Sequence, residues 1–572
     1  MRSAFQKADT LVGHNIIRFD VPVLERLLGI KIKAKLVDTL ALSWYLQPKR
    51  PRHGLQSYGE DFGIKKPEVE DWSSQDLEVY VHRCEEDVRI NSHLWNAQYA
   101  KLAKIYESKQ ELWRFLDYLS DKMHQTRLQE QSGWKIDIEF TKESLDKLEK
   151  LQEEKALALE AIMPRIPVFV LKTKPKVLIK KNGTASAHGQ AWTNLLQERK
   201  LPSDTESVEV LKGYDPPNPN SPPQIKNWLF SLGWQPTEFK HKDGREIPQI
   251  NLPNGKGICP GIKRLYEKCP ELEVIEGLSV LNHRIPILRG FLETQENGFV
   301  KAQVQGLTNT LRFQHSHPCV NLPRSDRPFA EGIRGALTAP EGYELCGADM
   351  SSLEDRLKQH FIYPLDPKYV RSLTTEGYDP HLDLAMMAGM LTSEQVDDYK
   401  SKKDLSTKPI RDIAKNGNYA CQYGAYPPRL SITCGITIDK AQELFDGYWK
   451  LNWSIKEVAK QQKVKSVDGD MWLYNPISGF WYSLRKDNDR FSTLIQGTAS
   501  YVFDLWVNRV LSTRSQLTAQ FHDEIVLCVK KGFREQIRTF LRDKLKDTNA
   551  ELKLNRELDI GVQFGDRYSE IH

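Results

Sequence analysis

Two acids far apart in the chain are the residues best suited to hold a cation. Asp523 lies within Ala519-Gln520-Phe521-His522-Asp523-Glu524-Ile525-Val526-Leu527-Cys528-Val529, and Asp349 follows the run Tyr343-Glu344-Leu345-Cys346-Gly347-Ala348. Hard carboxylate oxygens of this kind suit Mg2+. His522-Asp523-Glu524 alone is also what a surface turn looks like; the second acid, after a second strand-like run, points to chemistry. Between them lies Arg411-Asp412-Ile413-Ala414-Lys415-Asn416-Gly417-Asn418-Tyr419-Ala420-Cys421-Gln422-Tyr423-Gly424. On a helix, Arg411, Lys415 and Tyr419 recur every fourth residue and share one stripe. Arg grips phosphate oxygens in a fork and Lys adds a point charge. The stripe suits a nucleoside triphosphate, with Tyr419 stacking on sugar or base. An amphipathic surface helix is the plainer alternative. Gly417 costs about 1 kcal/mol in a helix interior, which favours close approach of a substrate.

These residues need particular elements to position them. The apolar, β-prone runs on either side of His522-Asp523 predict a tight β-hairpin with the acids at its bend. Residues 343–348 predict another strand, and only a packed sheet brings the two acids together. Close carboxylates repel one another when no cation is bound.

Asp349-Met350-Ser351-Ser352-Leu353-Glu354-Asp355-Arg356 resembles motif A of the family A DNA polymerases. Residues 411–424 resemble motif B, and His522-Asp523-Glu524 resembles motif C. The resemblance is to the T7-like phage replicative type. Thr310-Leu311-Arg312 is similar to the family's Thr-Gly-Arg element, and Val320-Asn321-Leu322-Pro323-Arg324 to the Asn-Leu-Pro segment after it. Tyr378-Asp379-Pro380-His381 is similar to its Asp-Ile-His element, and Gln496-Gly497-Thr498-Ala499 to its Gln motif.

The resemblance implies DNA-templated addition of dNTPs to a primer 3′-hydroxyl, with two Mg2+ ions that Mn2+ can replace. Such ions, about 3.5–4 Å apart, activate the nucleophile and neutralise the leaving pyrophosphate. Asp349, Asp523 and the backbone carbonyl of Met350 become the metal ligands, with Glu524 in support. Arg411, Lys415 and His381 would hold the β- and γ-phosphates. Tyr419 stands at the position governing sugar discrimination, and Glu354 at the steric gate against a 2′-hydroxyl. Arg312, Gln496, His522 and Tyr423 would contact primer–template DNA, where minor-groove acceptors are common to all pairs. Ser492 departs from the Asn usual before Thr493.

The N-terminal part is similar to DnaQ-like 3′–5′ exonucleases. Asn15, Phe19 and Asp20 resemble the second motif, and Cys84-Glu85-Glu86-Asp87-Val88 the third, with Asp87 at a ligand position. Arg83 stands where that family has a Tyr. The first motif, Asp-x-Glu, is absent; only Asp9 precedes Asn15 as an acid. Phosphodiester hydrolysis with two metals needs several carboxylates, so this chain alone is expected to lack exonuclease activity. The missing strands would leave an exposed sheet edge. A separate N-terminal exonuclease fragment, a trimmed product and a decayed scaffold all remain open.

The expected fold is α+β: a right hand of palm, fingers and thumb behind an incomplete RNase H-like α/β domain. Residues 1–107 form the exonuclease-like part and 108–300 the thumb, with an insertion at about 164–223. Residues 301–356 form the first part of the palm, 357–450 the fingers and 451–572 the rest of the palm. Within 108–165, Leu145, Leu148, Leu151, Leu159 and Ile162 share one helical side. The insertion gathers Lys172, Lys174, Lys176, Lys180 and Lys181. A solvated loop, a DNA-tracking loop and a dock for a processivity factor are the readings.

Composition excludes little. The 572 residues suggest about four domain-sized units, and 81 Lys+Arg against 76 Asp+Glu leave a charge of +5. That excess is too small to announce a polyanion partner. Eight scattered cysteines read as reduced thiols. No apolar run is long enough to span a bilayer, so the expected setting is cytoplasm, that of a bacterial host if the gene is a phage's. Two competing functions remain: a catalytically inactive DNA-binding replication subunit and a single-subunit RNA polymerase. Glu at 354 and 524 argues against the latter.

Overall fold

A computed structural model describes residues 2–67, 77–242, 245–252, 257–402, 405–422, 424–512 and 516–571. Tyr423 and the Glu70–Asp71 region lie outside the described residues. The chain forms two compact units, Met1–Leu145 with Pro286–His572, and Asp146–Ile285.

The larger unit is built on a four-stranded antiparallel sheet. Its order is Gln516–Phe521, Glu524–Lys530, Tyr343–Met350, Ile560–Gly565. Residues 344–348 and 350 are buried, because a strand with a neighbour on each side and helices on its face packs both sets of side chains. Ala348, Met350, Ile525 and Leu527 join one apolar core with the long helix Arg490–Leu511 and the helices between residues 353 and 461. The predicted hairpin is present. Phe521 pairs with Glu524, leaving His522 and Asp523 as its two-residue turn. His522 takes φ 55°, the left-handed region that two-residue hairpin turns require.

The helical segment from Ser108 onward divides at Gly133. Helices Lys109–Ser132 and Ile138–Ile162 flank Trp134–Ile136, a short strand between Leu337–Thr338 and Phe299–Val300. The periodicity gave no sign of this strand. Of the expected stripe, Leu148 and Leu159 are buried, whereas Leu145, Leu151 and Ile162 are half-buried.

At the N-terminus, Thr10–Gly13 and Lys35–Asp38 make a sheet of two parallel strands. Its core is shared with the sheet of Val464–Val467, Asp470–Asn475 and Phe480–Leu484. Tyr45 donates to the Trp481 carbonyl at 2.7 Å, and Lys101 pairs with Asp470 at 2.9 Å.

In the smaller unit, the insertion is a long antiparallel ribbon, Ile166–Thr173 with Ser207–Asp215, and a helix, Ala187–Glu198. Val168 and Val210 face inward, whereas Phe169, Leu171, Leu211 and Tyr214 are exposed. Lys172 is on the ribbon, and Lys174 pairs with Glu206 at 2.9 Å. The insertion is therefore an ordered hairpin with an apolar outer face.

Candidate active site

Sheet register brings the two acids together. Asp349 lies opposite Glu524, and the Met350 amide donates to the Asp523 carbonyl at 3.0 Å. Asp349 is exposed, Asp523 half-buried and Met350 buried. Partial burial raises the Asp523 carboxyl above its ordinary value; Arg312 and His522 oppose the shift, while Glu354 adds to it. Glu524 is buried and accepts a bond from Tyr568 at 3.2 Å. Tyr568 in turn lies 3.6 Å under the Arg334 guanidinium. Glu524 thus anchors the second strand into the protein. A Cβ on Gly347 would stand 2.9 Å from Ile571 Cδ1, so the glycine makes room for that side chain against the strand.

Arg312 reaches this centre from a tight turn. Leu311 takes φ 65° where the family element has glycine, and Arg312 accepts from the Thr308 amide at 2.8 Å. Arg312 binds Glu354 at 2.6 Å. Glu354, Gln422, Ser492 and Gln496 line one small crevice, which brings Glu354 beside the last residue of the basic helix.

That helix, Lys408–Gln422, is amphipathic as the spacing predicts. Lys415 and Tyr419 are exposed, and Arg411 is half-buried. Arg411 Nε donates to Asp379 at 2.5 Å. Asp379 also caps helix Pro380–Met387, accepting from the amides of His381 and Leu382. Burial opposes the charge on Asp379; the Arg411 bond and those amides outweigh it and hold the carboxyl below its ordinary value. His381 lies 5.9 Å from the Tyr419 ring and bonds Asn418 at 3.2 Å. The motif reading gave Asp379 no role, although Asp before Pro at a helix start is a capping signature.

Gly417 has a different cause from the one its position suggested. A Cβ there would stand 2.5 Å from Leu444 Cδ2, so the glycine serves helix packing rather than substrate approach. Beyond the helix end is a cavity of about 450 Å³, lined by Tyr426, Phe445, Trp449, Lys456, Lys460 and Arg490 among others.

The donor set fits hard cations. Two carboxylates and a backbone carbonyl supply oxygen, and Mg2+ commonly takes one or two carboxylates plus substrate phosphates. Among the described residues no group of three or more His, Cys, Asp or Glu is gathered for a metal. Asp87 pairs with Lys66 at 2.7 Å. Burial raises Asp20 above its ordinary value, with Asp87 adding to the shift. Asn15 takes φ 62° and its amide donates to Asp38 at 2.9 Å.

Residues 193–570 match the model of DNA polymerase family A. The chain belongs to family A of the DNA polymerases. This family A chain is 26% identical over 383 residues to the thermostable DNA polymerase I of Thermus filiformis, covering 64% of this chain and 43% of that protein. It is 23% identical over 381 residues to DNA polymerase I of Helicobacter pylori, covering 62% and 38%. The family A chain thus spans less than half the length of these relatives. In fold it is similar to the POL domain of Pol1 from M. smegmatis, solved with DNA primer-template and dNTP, at a TM-score of 0.64 and 15% identity over 95% of this chain and 84% of that one.

Proposed function

We propose that this chain extends a DNA primer by template-directed nucleotidyl transfer. The observation that carries the reading is the Met350–Asp523 backbone bond, which sets the turn of Asp523 beside the strand end that carries Asp349 within a family A fold. Asp349, Asp523 and the Met350 carbonyl would hold two Mg2+ ions, with Mn2+ able to replace them. When bound, such ions lower the nucleophile's pKa and neutralise the leaving group. Arg411, Lys415 and His381 bind the triphosphate, and Asp379 holds Arg411 until phosphate oxygens compete for it. Tyr419 and Glu354 face the sugar. Arg312, Gln496, His522 and Tyr423 contact primer–template, and Glu524 braces the turn. The aromatic cavity beyond the basic helix suits an unpaired template base, which stacks on aromatic faces beside cations.

Phage genome replication in a host cytoplasm is the finer part of the proposal. It rests on motif likeness, since the relatives named above are bacterial. The exposed ribbon face and its lysines support docking of DNA or of a processivity factor. No helix among the described residues is long and apolar enough to cross a membrane. The Lys66–Asp87 pair supports absence of exonuclease activity.

Primer extension by the purified chain, with dNTPs and then rNTPs, tests the reading. Extension with dNTPs is expected, lost in Asp349→Ala and Asp523→Ala while DNA binding persists, because affinity comes largely from phosphate contacts. More than a few per cent of wild-type rate in both variants, roughly the residue of a lost metal ligand, removes the metal assignment. A wild-type chain that binds DNA without extending it returns the inactive-subunit reading, and equal use of rNTPs the RNA polymerase one.

A further inference from the structure

A buried ion pair ties together three elements around the site. Lys122, on helix Lys109–Ser132, donates to both carboxylate oxygens of Asp504 at 2.8 and 2.7 Å. The two side chains are 2% and 1% exposed. Tyr118 donates to the same carboxylate at 2.6 Å, and Gln125 donates to the Asp504 carbonyl at 3.2 Å and to Asn508 at 2.7 Å. Asp504 sits on helix Arg490–Leu511, about two turns after Gln496. The Lys122 ammonium also lies 4.2 Å from the ring of Phe313, the neighbour of Arg312. Phe313 meets His315 edge-on at 6.4 Å, and His315 lies 4.8 Å from Phe521, which opens the turn carrying His522 and Asp523.

Stability does not account for this arrangement. Taking two charges out of water is costly, and an apolar pair of similar volume is often as stable or more so. What ionic and hydrogen bonds add is direction. An apolar face lets two helices slide or rotate against each other, whereas a forked bond with two further donors admits one register. The contacts lead outward to the elements that carry Gln496, Arg312 and Asp523.

We propose that Lys122 and Asp504 are positioning residues for primer extension. Their pair sets the register of the Gln496 helix against the Arg312 strand and, through Phe313, His315 and Phe521, against the turn of Asp523. This rests on the polymerase reading above. Neither residue touches substrate; they act through the groups they hold.

The double variant Lys122→Met/Asp504→Leu tests the pair. Its melting temperature is expected to stay near wild type, since apolar residues replace the ion pair. Its primer–template dissociation constant and its rate of extending mismatched relative to matched primers are each expected to rise about ten-fold, the scale of coupling between neighbouring groups. A merely structural brace predicts a recovered melting temperature with wild-type affinity and discrimination, and that result overturns the proposal. If the double variant does not fold, Tyr118→Phe keeps the ion pair and removes one bond; a shift of about two- to three-fold in the same direction is expected, and no shift overturns the proposal. Wild type measured in parallel separates the two readings. Its failure to extend a primer overturns the polymerase reading and this proposal with it; a wild type that extends beside an unaltered variant overturns the positioning role alone.

Discussion

Glu354 and Tyr419 occupy contrasting surroundings. Glu354 is bound by Arg312 at 2.6 Å, whereas Tyr419 is 52% exposed. As the proposed steric gate, Glu354 excludes a 2′-hydroxyl by bulk, so Glu354→Ala is expected to admit ribonucleotides about ten-fold more readily or better. Tyr419→Phe is expected to raise discrimination against dideoxynucleotides, because the protein then supplies no hydroxyl. Unchanged incorporation ratios in both variants would place the sugar pocket elsewhere. His315 gives a separate expectation. Burial lowers it from 6.5 to about 4, with His522 and Lys122 adding and a bond to the Gln520 backbone opposing. In the unfolded chain it protonates first, so stability is full above about pH 6.5 and falls as pH drops toward 4, by about 3 kcal/mol in all. Denaturant titrations between about pH 7.5 and 5 should show a steeper loss for wild type than for His315→Leu. His14, also lowered to about 4 by burial, contributes the same sign in both proteins. Parallel slopes would show that His315 is not the titrating group.

Helix contacts in the region of the basic helix depend on missing side chains. Gly417 lets the basic helix approach Leu444, and a Cβ on Gly447 would lie 3.0 Å from the Ala388 amide nitrogen. Gly417→Ala improves helix propensity by about 1 kcal/mol. It also overpacks a fully buried Leu444, which costs about 1–3 kcal/mol. The net expectation is a loss of up to about 2 kcal/mol, accompanied by weaker dNTP binding as the basic helix shifts. A higher melting temperature for Gly417→Ala would show that the two helices have room to spare.

At the scale of the whole chain, the N-terminal acids and the acids of the candidate site have different surroundings. Lys66 pairs with Asp87, while Asp349 lies opposite Glu524 and Asp523 stands in the adjoining turn. A 3′-labelled single-stranded oligonucleotide incubated with Mg2+ is therefore expected to persist, and Asp20→Ala and Asp87→Ala to leave extension unchanged. Lys66→Met should lower the melting temperature by leaving Asp87 unpaired in partial burial. Metal-dependent degradation that disappears in Asp20→Ala would mean other acids complete that site. The N-terminal part packs into the larger unit, since Tyr45 and Phe115 meet Trp472 and Phe480 in one core.

Local pattern was enough for the elements of the site. Apolar, β-prone runs on either side of His522-Asp523 encode a hairpin, and the spacing of Arg411, Lys415 and Tyr419 encodes a helix face, because both are set within a few residues of backbone geometry. Motif likeness then assigned roles to those positions, but not their neighbours. The adjacency of Asp349 and Asp523 depends on pairing residues 343–349 with 524–530. The Arg312–Glu354 bond spans 42 residues and the Lys122–Asp504 bond 382. Gly417 read as a cost until Leu444 was opposite it, and of the five lysines only Lys172 proved to lie on the ribbon, the others following it in an irregular segment. Such pairings are chosen by which strands and helices bury one another's surfaces, a global choice that no short window of sequence contains. The sequence alone determined which residues have the chemistry to hold phosphate and cations; tertiary packing decided which of them lie near one another and what holds them there.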